Sequence, residues 1–418
     1  MSTTQLGNEY VLAGGDVIAG EELDLIRMGH VVVRDGVIAA VGTGAPPSGL
    51  PVIDMSGRLL IPGLINCHTH IGDAAFKEKG FGFPTETNLL WQPDGLRWKW
   101  MAETPRSELV AAMRRAAQHM LSMGVVAFAD FREGGYEGVI ALRDACHGLP
   151  IRAIIYARHA DAPLHTEEAF NENREGLSEE HLAEITRCLD VADGFSAVWA
   201  NETTDLGLQQ TASLVRDTGK RLATHACESD TYRQLSLART GRGDVDRVVD
   251  HLMPDFVVHM TDANDAELDT AINAGLPMVF CGRGMAALGN GFVPYASALA
   301  KGALIGLGTD NVMINSPDIL AEMDFLGRVN RALTHDTAID ARALLAAGTI
   351  DAARVLGLDD ELGSISEGKS ATLVAFDFTS GNLSDSADPI ASLVERASVA
   401  DIDAVVVDGA LVHGSIRK

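Results

Sequence analysis

Residues 59–70 read Leu59-Leu60-Ile61-Pro62-Gly63-Leu64-Ile65-Asn66-Cys67-His68-Thr69-His70, an apolar run that ends in two histidines two positions apart. The apolar run predicts a buried β-strand. Side chains two positions apart on a strand project from the same face, so the imidazoles of His68 and His70 point the same way. Neutral imidazole is the commonest protein ligand for a divalent transition metal. The pair is therefore a candidate metal site.

Three further polar side chains each follow an apolar, strand-like run later in the chain. His225 follows residues 221–224, His259 follows residues 255–258, and Asp310 follows residues 304–309. In a (β/α)8 barrel the functional groups gather where the strands end, because the loops there converge on one mouth. We therefore expect these three side chains to join the two histidines of the first strand at one metal site.

Between residues 61 and 365, strand-like runs alternate with helix-like stretches, which predicts an α/β fold with a parallel (β/α)8 TIM barrel. The first, fifth, sixth and eighth predicted strands end at the candidate ligands. The remaining predicted strands are residues 125–128, 151–156, 195–199 and 277–281.

The two ends of the chain, residues 1–60 and 366–418, contain short β-type segments instead. Arg34-Asp35-Gly36 lies between two runs rich in β-branched residues and predicts a hairpin turn. The simplest arrangement pairs both ends into one small β-sandwich domain beside a catalytic barrel of residues 61–365.

Composition limits the partners of this protein. The chain has 418 residues, of which 46% are hydrophobic, and 33 basic against 58 acidic residues give a net charge of −25. Phosphates would be repelled, so we expect no nucleic acid and no anionic membrane as a partner. Only seven of the basic residues are lysine. An acidic surface that prefers arginine favours a halophilic source over the alternative, an acidic enzyme from a GC-rich genome.

The cysteines and the N-terminus suggest a cytoplasmic protein. The five cysteines are scattered without a CxxC motif, which favours reduced thiols. The first nine residues lack the basic and apolar regions of a secretion signal, and no stretch approaches a transmembrane length. We expect a homo-oligomer, a dimer or larger, that acts on a small molecule.

The segment 62–70, the pair His225 and Glu228, His259 and the segment 308–310 together resemble the amidohydrolase superfamily. They most resemble its aminohydrolase branch, which contains deaminases of nucleobases and nucleosides and is related to chlorohydrolases. The resemblance spans residues 10–413. It implies a TIM barrel with a composite β-domain and a hydrolase acting on carbon–nitrogen bonds other than peptide bonds.

The resemblance also implies how many metal ions are bound. Binuclear members bridge two metals with a carboxylated lysine from the fourth strand, but this chain has no lysine between Lys99 and Lys220. We therefore expect one divalent metal, zinc in the first place and iron as the alternative. The implied ligands are His68, His70, His225 and Asp310.

In this interpretation the metal lowers the pKa of a bound water toward neutrality and so supplies hydroxide. His259 steers the water, Asp310 accepts its proton, and Glu228 shuttles the proton to the ring nitrogen of the substrate. The predicted reaction deaminates an amino-substituted N-heterocycle, of purine, pyrimidine, pterin or nucleoside type, and releases ammonia. Two alternatives stay open: hydrolysis of a cyclic amide, as in imidazolone ring opening, and a structural protein that has lost the chemistry.

The substrate-binding residues are less clearly marked. The candidates are Trp91 in the long segment 71–102, and Arg158, His159, Asn201 and Arg283 after the ends of predicted strands. The segment 71–102 is either a lid over the mouth or a surface loop. Arginines at the mouth suit a carbonyl oxygen, a carboxylate or a phosphate on the substrate.

Overall fold

A computed structural model of the chain describes residues 6–82, 95–338 and 340–415. Its strands form one sheet of eight strands and one of nine. In chain order the strands are β1 (Glu9–Ala19), β2 (Asp24–Arg34), β3 (Val37–Thr43), β4 (Val52–Asp54), β5 (Arg58–Pro62), β6 (Leu64–His70), β7 (Val125–Arg132), β8 (Arg152–Ala157), β9 (Gly194–Trp199), β10 (Arg221–Ala226), β11 (Phe256–His259), β12 (Met278–Phe280), β13 (Ile305–Leu307), β14 (Asp310–Asn311), β15 (Leu373–Asp377), β16 (Ile402–Val407) and β17 (Ala410–Gly414).

Fifteen α-helices are found within the described ranges. They are α1 (Leu96–Glu103), α2 (Arg106–Ser122), α3 (Gly135–Cys146), α4 (Glu167–Glu172), α5 (Glu179–Leu189), α6 (Asp205–Asp217), α7 (Asp230–Thr240), α8 (Asp244–Arg247), α9 (Asp265–Asn273), α10 (Gly282–Leu288), α11 (Tyr295–Ala300), α12 (Ile319–Thr334), α13 (Ala341–Ala347), α14 (Ile350–Leu356) and α15 (Pro389–Arg396). None of them is long and apolar enough to cross a membrane.

The eight-stranded sheet combines both ends of the chain, as the sequence predicted. Its order is β17-β16-β15-β5-β1-β2-β3, with β4 beside β1. Side chains from both ends, such as Tyr10, Leu60, Leu373 and Val406, pack into one buried cluster of this sheet. The predicted hairpin joins β2 to β3, and Asp35 and Gly36 adopt positive φ angles of 48° and 81°. Two such residues make the turn that matches the right-handed twist of a hairpin.

The nine-stranded sheet is parallel and closes on itself, with β6 paired to β7 on one side and to β14 on the other. Strands β13 and β14 are two parts of the eighth barrel strand, separated by Gly308 and Thr309. A Cβ atom at Gly308 would lie 2.8 Å from the Cβ of His68 and 2.9 Å from the Sγ of Cys281. Only glycine allows this close approach, which brings the end of the eighth strand beside the first.

The helices cover the outside of the barrel. Helix α2 buries one stripe of side chains, including Met113, Ala117 and Met120, in the same cluster as Leu64 and Val126 of the barrel strands. This burial of apolar area is the main stabilising contribution to the barrel. The closed ring holds the C-terminal ends of the strands, and the residues that follow them, at one mouth.

Candidate metal centre

The predicted ligands converge at that mouth. His68 and His70 end β6, His225 lies near the end of β10, and Asp310 begins β14. The Nε2 atoms of His225 and His68 are 3.2 Å apart. The Oδ1 atom of Asp310 lies 3.4 Å from Nε2 of His68 and 3.6 Å from Nε2 of His70. No side chain in this group is more than 6% exposed.

His259 at the end of β11 joins the same cluster of donor atoms, together with His68 and Asp310. Its ring stacks on the ring of His225, with centroids 4.7 Å apart. Its Nε2 atom is 3.8 Å from Oε2 of Glu228. The division of roles that the sequence suggested, with His259 beside the metal rather than on it, stays a prediction.

Two of these residues hold strained backbone conformations. The φ angle is +79° at His259 and +64° at Asp310, both in the left-handed region. Such conformations cost free energy in residues other than glycine and persist where the surrounding structure enforces them, often at functional sites. The strain lies where the two strands must turn their last side chains into the cluster.

Burial keeps the imidazoles of His70, His225 and His259 neutral. It lowers the pKa of His70 to about 4 and of His259 to about 3, and it lowers the pKa of His225 well below its ordinary value. Burial alone would raise the pKa of Asp310, but its hydrogen bond to His68 and the adjacent imidazoles lower it overall. At neutral pH these three histidines therefore present unprotonated nitrogens and Asp310 presents a carboxylate, the forms that bind a metal ion.

The donor set fits a divalent transition metal. Facing imidazole nitrogens and one carboxylate oxygen, all buried, are the ligands that zinc and iron accept in proteins. One other group of donor atoms lies close enough together among the described residues, formed by Cys227, Asp244 and Glu267. There Asp244 accepts the backbone N–H of Cys227, and Glu267 pairs with Arg233, so these oxygens already serve structural bonds.

Glu228 projects beside the cluster from the turn after β10. The preceding residue, Cys227, has a φ of +46°, and the carboxylate of Asp244 accepts its N–H at 2.7 Å. This contact stabilises the turn that directs Glu228 inward, where it is 3% exposed. Oε2 of Glu228 accepts the indole N–H of Trp199 at 2.7 Å. A buried carboxylate next to a metal site can carry a proton between the site and a bound molecule.

Glu133, which follows β7, is a residue that the sequence analysis missed. Its Oε1 atom lies 2.7 Å from Nδ1 of His70, the nitrogen that faces away from the cluster. Glu133 also pairs with Arg97 and with Arg132. Metal-binding histidines usually donate their second N–H to an acceptor that orients the ring. His70 has such a carboxylate, whereas Nδ1 of His68, His225 and His259 has no hydrogen-bond partner among the described residues.

We expect Glu133→Gln to weaken metal binding by about 10–100-fold, the usual effect of removing an outer partner of a metal ligand. The carboxylate holds the His70 ring and increases its basicity, and an amide does both less well. Competition with a chelator of known affinity measures the change. Glu184→Gln is the matched control. Glu184 is also a carboxylate that accepts a hydrogen bond from a histidine, with 2.8 Å to Nδ1 of His159, but His159 is not one of the predicted metal ligands. Unchanged affinity in Glu133→Gln would refute this role.

Of the predicted substrate-binding residues that the structure describes, Arg158 alone lines the small cavity beside the donor cluster, which is formed by His68, His70, His225, His259 and Asp310. It lines a cavity of about 20 Å³ together with His70, His225, Glu228 and Asp310. The guanidinium is 1% exposed and lies between two indole rings, with its central carbon 5.3 Å from the centroid of Trp98 and 5.7 Å from that of Trp199. Its Nη1 atom is 3.5 Å from Glu133, and its Nε and Nη2 atoms have no partner among the described residues.

His159 and Asn201 lie farther out and are engaged in bonds of their own. Nδ1 of His159 lies 2.8 Å from a carboxylate oxygen of Glu184. The side-chain amide of Asn201 donates to the carbonyl of Tyr232 and accepts from Arg247. Asn201 lines a second cavity, of about 300 Å³, which Trp199 also lines. Their roles in substrate binding stay predictions.

Arg283 turns away from the donor cluster. Its Nη1 atom donates to the backbone carbonyls of Ser316 and Asp318, at 3.3 and 3.5 Å. Arg283 is not among the residues that line the small cavity. These bonds tie its guanidinium to the loop before α12, and its role in substrate choice stays a prediction. Trp91 lies outside the described residues.

The segment 71–102 contributes to the site. Within its described part, α1 brings Arg97 and Trp98 to the lining of the small cavity. Arg97 is buried between Asp73 and Glu133, and it bonds to both carboxylates. No periodic pattern in the sequence marked Arg97. Glu133 directly follows β7, which ends at Arg132, four residues beyond the predicted strand 125–128, so a correct strand boundary is the signal that could have found that residue.

Comparisons with known proteins agree with this geometry. The model of the amidohydrolase family matches residues 59–412. A chain of Methanothermobacter thermautotrophicus that carries the name aminohydrolase is 32% identical over 97% of this chain and 99% of its own length. The 5-methylthioadenosine/S-adenosylhomocysteine deaminase of Teredinibacter turnerae is 28% identical over 82% of this chain and 77% of its own. An adenosine deaminase of Xanthomonas campestris, crystallised with zinc, shares the fold, with a TM-score of 0.83, 21% identity and coverage of 96% and 92%.

Proposed function

The chain belongs to the amidohydrolase family, and from this premise we propose that it deaminates an amino-substituted N-heterocycle and releases ammonia. It is a hydrolase of carbon–nitrogen bonds other than peptide bonds. The observation that carries the proposal is the position of Glu228. Its buried carboxylate lines one small cavity with His70, His225 and Asp310, so a proton carrier stands directly beside the donor cluster.

We propose that the site binds one divalent metal ion, zinc in the first place and iron as the alternative. The proposed ligands are His68, His70, His225 and Asp310, whose donor atoms lie close together. When bound, such a metal supplies a water whose pKa lies near neutrality. The side chains around it handle protons and orientation. Asp310, whose lowered pKa keeps it ionised, accepts a proton, and Glu228 passes a proton to a ring nitrogen of the substrate. His259 orients the group that attacks the ring carbon.

Arg158 is the proposed contact to the rest of the substrate. Its unpartnered Nε and Nη2 atoms form one edge of the guanidinium, which can donate two parallel hydrogen bonds to an oxygen-bearing group. A buried guanidinium with unpaired donors is costly, and a substrate oxygen would satisfy those donors. Its central carbon lies over the indole of Trp98, 5.3 Å from the ring centroid.

The test is a screen for ammonia release by the metal-reconstituted protein over purines, pyrimidines, pterins and their nucleosides. The proposed function predicts ammonia from at least one amino-substituted ring. Opening of a cyclic amide would instead consume its substrate without releasing ammonia, and relatives named as deaminases favour the first outcome. If neither ammonia nor a ring-opened product appears with any compound, the proposal is wrong.

On the best substrate of that screen we expect Arg158→Lys to raise KM by about tenfold or more, because charged hydrogen bonds are worth about 1.5–3 kcal/mol. Lysine keeps the charge but loses the two-pronged donor. Metal content should not change, and elemental analysis checks this. Arg143→Lys, at a surface pair with Asp193, serves as the control. An unchanged KM in Arg158→Lys would remove Arg158 from the substrate site.

Composition supports three further proposals about the setting. The charge of −25 and the preference for arginine favour a protein that works at high salt. The scattered cysteines favour a cytoplasmic protein, and the acidic surface argues against nucleic-acid or membrane partners. The ammonia screen should therefore be run at both low and high salt.

A further inference from the structure

The space beside the donor cluster is too small for a heterocyclic ring. Its volume is about 20 Å³, and its lining includes Trp98, Arg158, Trp199 and Glu228. A cavity of this size holds a single water molecule. A substrate ring that is to reach Glu228 must therefore take volume that a side chain now fills.

Trp199 fills that volume. Its indole N–H donates to Oε2 of Glu228 at 2.7 Å, and its ring lies 5.2 Å from the ring of His225 at an angle of 35°. The indole also stacks on Tyr232, with centroids 5.2 Å apart and planes within 14°. The indole is itself a flat, fused ring whose nitrogen bonds to Glu228, so a side chain of the protein occupies the place beside the donor cluster where a substrate ring is expected.

A larger cavity next to Trp199 could accommodate its indole. Trp199 also lines the cavity of about 300 Å³, and it is the residue that the linings of the large and the small cavity share. The lining of the large cavity includes apolar side chains, among them Leu164, Phe170 and Leu235, which an indole can contact without loss of hydrophobic burial. Rotation of one side chain would join the two spaces.

We propose that the indole of Trp199 is a displaceable substitute for the substrate ring and that it determines which rings are accepted. The substrate ring replaces it against Glu228, and a ring nitrogen of the substrate takes over the hydrogen bond of the indole N–H. The ring that fits is a fused two-ring heterocycle, since a single six-membered ring would leave part of the vacated volume empty and lose its contacts. This inference rests on the proposed function, because it concerns the same site.

The alternative hypothesis is that Trp199 keeps its position and that the substrate ring stacks on its indole. The two hypotheses predict opposite changes in the affinity for the ring when Trp199 is removed. A displaceable indole competes with the ring, so its removal strengthens ring binding. The apparent affinity of a site that is open only part of the time equals the affinity of the open site multiplied by the fraction of molecules in which it is open. Removal of a stacking wall weakens ring binding instead, because the ring loses contact area.

The experiment measures binding without turnover. Hypoxanthine, a two-ring compound with no amino group left to hydrolyse, and uracil, its single-ring counterpart, are titrated calorimetrically into the metal-loaded protein and into Trp199→Ala and Trp199→Phe. We expect Trp199→Ala to bind hypoxanthine more tightly than the parent by about tenfold or more, as for a site open one time in ten. Trp199→Phe, which keeps most of the ring but loses the N–H bond to Glu228, should bind with intermediate affinity. Uracil should gain less than hypoxanthine does.

Trp100→Phe is the matched control, since Trp100 lies on α1 against Phe76 and Lys79, and it should bind hypoxanthine as the parent does. Thermal unfolding checks that each variant is folded, and Trp199→Phe carries the test if the alanine variant is not. Weaker binding in the folded Trp199 variants overturns the proposal, and so does the absence of hypoxanthine binding by every protein. A failed ammonia screen leaves this measurement interpretable, because it involves no reaction.

Discussion

His225→Ala is expected to leave the purified protein with almost no bound metal and no measurable ammonia release. The Nε2 atom of His225 is 3.2 Å from that of His68, at the centre of the donor cluster. Without this imidazole, two histidines and Asp310 remain for the metal, together with a void beside the ring of His259. Elemental analysis of metal per chain, set beside the ammonia assay, measures both effects.

The control for this variant is His251→Ala. His251 is a partly exposed histidine that contacts Gln209, Arg242 and Asp205, and it is not among the donor residues of the cluster. It should retain about one metal ion per chain, as expected for a single site. Full metal content in His225→Ala would show that this residue is not a ligand. Two fully occupied metals in the parent protein would contradict the mononuclear site.

Glu228→Gln is expected to keep the metal and lose turnover by about 10²–10⁴-fold, the usual contribution of a general acid–base group. Glutamine has nearly the same size, and its carbonyl oxygen can still accept the indole N–H of Trp199. The local structure should therefore survive while proton transfer is lost. The comparison of kcat with metal content and melting temperature separates a chemical effect from a structural one.

For this variant the matched control is Glu395→Gln, which removes the charge of a surface partner of Arg331. It should leave kcat unchanged. If Glu228→Gln were as active as the parent, another residue would have to carry the proton, and the central observation of the proposed function would fail. If the variant lost its metal as well, Glu228 would belong to the ligand set.

Much of the barrel and the donor cluster could be predicted because the relevant signals are local. A run of apolar residues identifies a strand, and the polar residue at its C-terminal end must lie at the mouth of a closed barrel. The four predicted strands without ligands all appear, as β7, β8, β9 and β12, with boundaries shifted by a few residues. The turn at Asp35 and Gly36 was equally predictable, since two residues decide its geometry.

Side-chain direction was harder to predict. His259 is the last residue of β11, and Arg283 comes shortly after β12, so both were candidates for the mouth of the barrel. The structure shows that Arg283 bonds to the carbonyls of Ser316 and Asp318 on the next loop. The arginine side chain has four rotatable bonds, so the direction of its guanidinium depends on which acceptors lie within reach. The positions of those acceptors depend on the packing of segments that are distant in the sequence.

By itself the sequence determined the alternation of strands and helices, the residues at the strand ends and therefore the donor cluster. The tertiary structure alone decided what surrounds that cluster. Glu133 and His70 are 63 positions apart, and Trp199 and Glu228 are 29 apart, yet both pairs are joined by hydrogen bonds of 2.7 Å. The physical reason is that backbone periodicity arises from neighbours along the chain, whereas a hydrogen bond between side chains requires two segments to be packed to within a fraction of an ångström.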